Sequence, residues 1–229
     1  MGPMYYSIKR LFDVISSGVA IIVLSPLLLP LIIGLKLTGE GHIFYLQERV
    51  GYKNKVFRLY KFATMLKGSS KMPGGYITTK NDPRITPMGG FLRKSKLNEL
   101  PQLFNIFLGQ MSVVGPRPVM PVSFEAYPAD VKAVIYDSKP GLTGIGSLVF
   151  RDEEGLITKI KESGGDMWQF YKNDIYPYKG ALEIWYQSHK SFWLDLKIIF
   201  LTAWVVLFPK TDVFKFFRNL PERPDFLNT

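Results

Sequence analysis

The chain has 229 residues, with 29 Lys and Arg against 19 Asp and Glu, a net charge of +10, and 47% apolar residues. That length suits one domain with appendages, and so basic yet apolar a chain suits a monotopic or peripheral membrane protein drawn to anionic lipid or phosphate-bearing substrates, with nucleic acid the rival anion on charge alone. The lack of cysteine and the presence of only His42 and His189 exclude disulfides, thiolate zinc sites and a histidine metal cluster, and leave a hard, oxygen-bound cation such as Mg²⁺.

Met4 to Phe12 mixes aromatic and basic residues, as at a headgroup layer, and leads into the uncharged run Val14 to Leu35. The run is long enough for a membrane helix, since about 20 apolar residues cross a bilayer. Ser25-Pro26 lies near its midpoint, where proline removes a backbone donor and clashes with the preceding turn, so a break is expected there. Each half is then about 11 residues, or roughly 16 Å, which is half of a ~30 Å hydrocarbon core. Lys9 and Arg10 before the run, and Lys36, Arg49, Lys53, Lys55, Arg58 and Lys61 after it, mark both ends as cytoplasmic. The pattern therefore predicts a re-entrant helix, with a kinked spanning helix and a buried core helix as alternatives.

Thr38 to Gly41 reads as a turn. Ile43 to Val50 and Val56 to Phe62, rich in aromatic and β-branched residues, predict a β-hairpin around Gly51 to Asn54. Lys67 to Lys80 reads as a mobile surface loop and Asn81 to Arg84 as a turn. Leu92, Leu97, Leu100, Leu103, Phe104 and Phe107 have helical spacing. A helix starting near Asn98 as N-cap, with Pro101 in its first turn, would offer N-terminal amides to an anion.

In Gly115-Pro116-Arg117-Pro118 two prolines fix the backbone around one guanidinium. Lys139 to Gly144 is another turn, and Arg151 to Gly165 a looser charged segment. Trp168, Tyr171, Tyr176 and Tyr178 are expected to seat in headgroups in preference to stacking on a ligand ring. Ile198 to Phe208 reads as an interfacial or core helix, and Val213 to Arg218 as an interface anchor.

No phosphate loop, dinucleotide fingerprint or zinc spacing is present. Asp82, Arg84, Arg93, Lys94, Glu99 and Arg117 sit at rigid turns and make a set suited to a Mg²⁺-diphosphate. The plainer alternatives are a side-chain-stabilised turn for Asp82 and Arg84, a solvated helix face for Arg93 and Lys94, and a first-turn acid for Glu99. From the residues alone the chain is a membrane-bound phosphate handler.

The order Lys9 to Ser17, Ser25-Pro26, Gln47-Glu48-Arg49-Val50-Gly51, Tyr60-Lys61-Phe62, Asn81 to Thr86, Leu92-Arg93-Lys94, Asn98-Glu99-Leu100-Pro101-Gln102-Leu103, Met111 to Pro118, Lys139 to Gly144 and Trp193 to Thr202 resembles the bacterial sugar transferases. These are monotopic polyprenyl-phosphate glycosyl-1-phosphate transferases, and the length resembles their short form. The resemblance implies a mainly α fold with a small β-hairpin. It places a re-entrant helix in residues 1–37, a cytoplasmic-face catalytic domain with interfacial helices in 38–210, and a tail in 211–229. It implies transfer of a sugar-1-phosphate from a nucleotide sugar, usually UDP-linked, to undecaprenyl phosphate at the cytoplasmic face of the bacterial inner membrane, starting a surface or exported glycan. Mg²⁺ is the implied cofactor. The implied partners are the nucleotide sugar, undecaprenyl phosphate and membrane lipid, with no nucleic acid and room for a homodimer.

In the family an Asp-Glu pair does the chemistry, the aspartate becoming a covalent phosphosugar. The resemblance makes Asn98 and Glu99 the catalytic positions, Arg93, Arg117, Arg84 and Lys61 phosphate-binding, and Glu99 with Asp82 metal-binding. Asn98 stands where the aspartate is usual, and an amide, with its lone pair delocalised, is a poor nucleophile. Ala63 and Gln110 replace an arginine and an acid common nearby, so the site loses two negative charges and one positive. Direct transfer to the lipid phosphate, Glu99 or another carboxylate as nucleophile, and an inactive substrate-binding homologue or assembly scaffold are the open outcomes.

Overall fold

The computed structural model describes residues 2–38, 40–73, 75, 78–79 and 81–227. Helix α1 (Pro3–Leu37) runs without interruption through Ser25 and Pro26, so the expected break is not a loss of helical backbone. Pro26 has no N–H for the Ile22 carbonyl four residues back, but the Ser25 hydroxyl donates to that carbonyl at 2.8 Å. The serine thus replaces the bond its neighbour removes. One face of α1, including Ile8, Leu11, Ile15, Ile22, Leu29 and Ile33, is exposed and apolar. Its most apolar stretch is only 17% buried, which rules out the core-helix alternative.

The opposite face docks on the body along its length. The Lys9 ammonium meets Asp195, Asp13 Oδ1 accepts from the Ser112 hydroxyl at 3.0 Å and the Val113 N–H at 2.8 Å, and Leu28, Leu31 and Leu35 pack with Phe62 and Leu92.

Strands β1 (Phe44–Val50) and β2 (Val56–Phe62) form the expected antiparallel hairpin, with Val50 opposite Val56. Lys53 and Asn54 turn the tip at φ 55° and 59°, and the Lys53 N–H bonds the Tyr136 carbonyl at 2.9 Å. In the loop expected from Lys67 to Lys80, residues 74, 76, 77 and 80 lie outside the described residues, as does Gly39 of the turn before the hairpin. The described part carries a 3₁₀ turn, Ser69–Lys71.

The helical spacing from Phe91 to Gln110 is divided between elements. Helix α2 (Pro87–Lys94) starts earlier, capped by Thr86, whose oxygen accepts from the Gly89 N–H. Lys96 then enters the left-handed region at φ 59°, which ends the helix, and Leu97–Glu99 is a single 3₁₀ turn. Helix α3 (Gln102–Phe107) begins after Pro101, so Asn98 caps nothing and the expected helix-terminus anion site is not formed.

Two three-residue strands escape the sequence pattern. They are β3 (Ser112–Val114) and β4 (Gly141–Thr143), paired in parallel. A Cβ on Gly141 would lie 2.1 Å from the Gly115 nitrogen, so glycine there lets the two turn motifs touch. Short helices α4 (Pro121–Glu125), α5 (Ala129–Val134), α6 (Ile145–Val149), α7 (Glu153–Glu162) and α8 (Met167–Phe170) follow. A π turn (Tyr171–Ile175) leads into α9 (Tyr176–His189) and then α10 (Phe192–Leu207).

The main core gathers Ile145, Leu148, Ile157, Leu182, Tyr186, Ile198 and Leu201 from α6, α7, α9 and α10. Helix α10 buries Ile198, Leu201 and Val205 in the core and exposes the apolar Phe200, Trp204, Val206 and Leu207, so it is apolar on both faces. Val213 and Phe217 are buried in the same core, so the tail segment read as an interface anchor is in part a core element.

Candidate active site

Strand β2, the 97–99 turn, the turn after β3 and helices α6, α7 and α9 surround a cavity of about 1420 Å³. Leu35 of α1 and Ile199, Ala203 and Val206 of α10 line its edge. Glu99 is its focus. Arg117 Nη2 donates to Glu99 Oε1 at 3.0 Å, and Lys61 Nζ lies 3.8 Å from the same oxygen. Burial pushes the Glu99 carboxyl up, but Arg117 and Lys61 outweigh it and hold it well below the usual carboxylate range. Burial, helped by Arg49, Arg117 and Arg93 against the pull of Glu99, brings Lys61 down to about 7.

Arg49 reaches in from β1. Its Nη1 donates to the Pro118 carbonyl at 3.0 Å, and its Nε and Nη2 donate to Gln47 Oε1. Burial first, then Arg117, lowers it to about 10. Arg93 also lines the cavity, paired with Glu154. Four basic side chains around one fully ionised carboxylate leave net positive charge in a concave, partly apolar pocket. Such a pocket suits an anion held by arginine forks and a point charge.

Asn98 lies next to Glu99 in the same wall, 7% exposed, and its Oδ1 has no hydrogen-bond partner among the described residues. A second polar group lies near α9, where Lys179 Nζ donates to both Glu153 oxygens at 2.8 Å and Glu183 is almost fully buried.

The structure thus brings together Lys61, Arg93, Asn98, Glu99 and Arg117. It does not bring Arg84 and Asp82. Arg84 Nε and Nη2 donate to Asp82 Oδ1 and Oδ2 at 2.9 and 2.6 Å, and Nη1 reaches the Ser69 and Gly75 carbonyls. Neither residue lines the cavity, so the plainer alternative holds and the pair ties the 82–84 turn to Ser69 and Gly75. The aromatic expectation also changes. Trp168, Tyr171 and Tyr176 line the cavity, and the Tyr178 hydroxyl bonds the Pro221 carbonyl.

The sequence places Arg49 in a hairpin strand and among the basic residues after the apolar run, and marks no role for Glu153, Glu154, Lys179 or Glu183. Arg49 stands in the quoted Gln47 to Gly51 motif, and Lys179 and Glu183 are four apart on one helix face, which was the available signal.

Among the described residues no three His, Cys, Asp or Glu side chains cluster as a metal site. Mg²⁺ needs fewer, because it is commonly held by one or two carboxylates with waters and substrate phosphates. Glu99, beside the unpartnered carbonyl oxygen of Asn98, fits that donor set. Asp82 does not, since Arg84 occupies both its oxygens.

The family model described as bacterial sugar transferase matches residues 4–209. The chain belongs to that family. It is 36% identical over 209 residues to the exopolysaccharide production protein ExoY of Rhizobium meliloti, covering 85% of this chain and 83% of that one. It is 35% identical over 215 residues to an undecaprenyl-phosphate galactose phosphotransferase of Salmonella typhimurium, and 36% over 200 residues to a UDP-glucose:undecaprenyl-phosphate glucose-1-phosphate transferase of Klebsiella pneumoniae. Those alignments cover 87% and 85% of this sugar transferase but only 40% and 39% of the two longer proteins.

Proposed function

We propose that this sugar transferase moves a sugar-1-phosphate from a UDP-linked sugar to undecaprenyl phosphate at the cytoplasmic face of the bacterial inner membrane, initiating an exported glycan. The observation that carries the reading is the cluster of Arg117, Lys61, Arg49 and Arg93 around Glu99, in a cavity edged by the two helices with exposed apolar faces, α1 and α10. Diphosphate and lipid phosphate are both anions, and one arrives from water while the other stays at headgroup depth. Both ends of α1 dock on one body, at Lys9 and at Leu35, which supports a monotopic arrangement with the two ends on one side.

The chemistry that fits these residues is a single displacement. An oxygen of the lipid phosphate forms a bond to the sugar-bearing phosphorus. The bond from that phosphorus to the bridging oxygen breaks, and its electron pair leaves with UMP. Arg117, Lys61 and Arg93 hold the oxygens in line. Glu99 is a weak nucleophile while Arg117 and Lys61 neutralise it, and the Asn98 amide offers no usable lone pair. Mg²⁺, held by Glu99 and the Asn98 carbonyl oxygen, would offset charge on the diphosphate.

The test is UMP release from a panel of UDP-sugars, with and without undecaprenyl phosphate and Mg²⁺. Release that requires the lipid supports the reading, and no release from any sugar sinks it. The buried amide at Asn98 favours one second reading, a substrate-binding homologue without turnover, for which UDP-sugar would bind with no UMP formed.

A further inference from the structure

Glu183 is the buried acid that this chemistry leaves unused. It lies on α9, is 3% exposed, and lines the cavity wall behind the phosphate cluster. The backbone N–H groups of Arg117 and Gly146 face its carboxyl and favour its charged form, while its Oε2 has no partner among the described residues. The approach is close, because a Cβ on Gly146 would come within 2.6 Å of Glu183 Oε1. Glycine at 146 is therefore what lets the carboxyl reach under the turn.

Arg117 is held at every other point as well. Pro116 and Pro118 fix φ on both sides, the Tyr136 hydroxyl donates to the Arg117 carbonyl at 2.9 Å, and the guanidinium donates to Glu99 at 3.0 Å. Proline cannot donate, so between Gly115 and Val119 the only backbone N–H is that of Arg117, and it faces the Glu183 carboxyl.

We infer that Glu183 is a positioning residue for the phosphate site. By accepting the Arg117 and Gly146 N–H groups it locks the turn that aims the Arg117 guanidinium at the diphosphate of the donor. A hydrophobic residue would leave two buried N–H groups without an acceptor, and the turn would relax away from α9. A lone carboxyl is tolerable in this place because burial pushes it up to about 7, so that much of it is neutral at neutral pH and the unpartnered oxygen carries little charge.

This inference rests on the phosphate-binding reading of the cavity and deepens it. It is tested with UDP as probe, by calorimetry on the full chain in nanodiscs. Glu183→Leu is expected to weaken UDP binding on the order of tenfold, as for other supporting residues behind a binding group. Glu183→Gln, which keeps the acceptor oxygen, is expected to stay within about twofold of the original.

The decisive arm is Arg117→Met, which removes the guanidinium but leaves the backbone N–H. In that background Glu183→Leu should cost nothing further, because the group it positions is gone. If Glu183→Leu does not fold, Glu183→Asp, which draws both oxygens back by one methylene, takes its place. Losses that add in the double variant, or a Glu183→Gln protein as weak as Glu183→Leu, would overturn the inference. Failure of the unsubstituted chain to bind UDP would sink the functional reading itself and this inference with it.

Discussion

Asp195 Oδ2 on α10 accepts from the Lys9 ammonium on α1 at 2.5 Å, across 186 residues of sequence. The Tyr5 hydroxyl donates to the same oxygen at 3.0 Å and the Tyr186 hydroxyl to Oδ1 at 2.7 Å. The ion pair is buried, its side chains 9% and 6% exposed, and the Lys9 and Tyr5 bonds tie α1 to α10 while the Tyr186 bond fixes Asp195 from α9.

Removing one partner strands a buried charge, so Asp195→Asn or Lys9→Met should cost about 3 kcal/mol, against a smaller loss in the double variant Lys9→Met, Asp195→Asn, which removes both charges and keeps an acceptor for the tyrosine hydroxyls. Thermal unfolding in detergent reads this directly. Equal destabilisation of single and double variants would show that the pair does not hold α1.

Asn98→Asp puts a carboxylate where Oδ1 now lies without a partner, beside the Arg117 and Lys61 cations. Intact-mass measurement after incubation with UDP-sugar, in the absence of lipid, should find a phosphosugar on Asn98→Asp and none on the unsubstituted chain. An adduct on the unsubstituted chain would refute single displacement. Glu99→Gln, which loses the charge that organises Arg117 and Lys61, should reduce UMP release by about 100-fold or more.

How much of this was legible in the sequence differs by element. The β1–β2 hairpin could be read because alternation and turn residues are local properties, and Arg117 because two flanking prolines are a local constraint. The pairing of β3 with β4 could not, since three-residue strands carry no period and their contact depends on Gly115 meeting Gly141 in space. Asp82 and Arg84 looked like ligands on charge alone, and only geometry shows that each answers the other. Glu183 is marked only by its spacing from Lys179, because its place beneath a turn 66 residues away in the chain comes from burial.

For Asp82 and Arg84 the expectation is a stability effect without a catalytic one. Asp82→Asn should lower the thermal midpoint by about 5 °C while leaving UMP release per folded molecule within about twofold. A loss of Mg²⁺ dependence in that variant would return Asp82 to the metal site.

Burial raises the Glu183 carboxyl from its unfolded value near 4.5 to about 7. Lys179 on its own helix is engaged by Glu153, and the other titratable groups facing it are the Tyr127 and Tyr136 hydroxyls from the segment around α5. Between those two values the folded chain keeps a proton that the unfolded chain gives up. Stability therefore falls as pH rises through this window, and the full cost, roughly 3 kcal/mol, is present above about pH 7. Glu183→Gln should then unfold at a higher temperature than the unsubstituted chain at pH 8, with the gap closing toward pH 4.5. A gap independent of pH would mean that Glu183 is ionised in both states.

The chain has no cysteine, so single cysteines report topology without a background. Ser7→Cys and Lys210→Cys occupy exposed positions near the two ends of the region held by α1 and α10, and Ser25→Cys lies on the exposed face of α1. The proposed monotopic arrangement keeps both docked ends of α1, at Lys9 and at Leu35, on one side of the bilayer. A membrane-impermeant maleimide applied to inverted inner-membrane vesicles should therefore label positions 7 and 210 alike, and position 25, set in the lipid, far more slowly than either. Labelling of 7 from the periplasmic side only would make α1 a spanning helix, and would require that its N-terminal contacts with Asp195 and Ser112 open in the membrane.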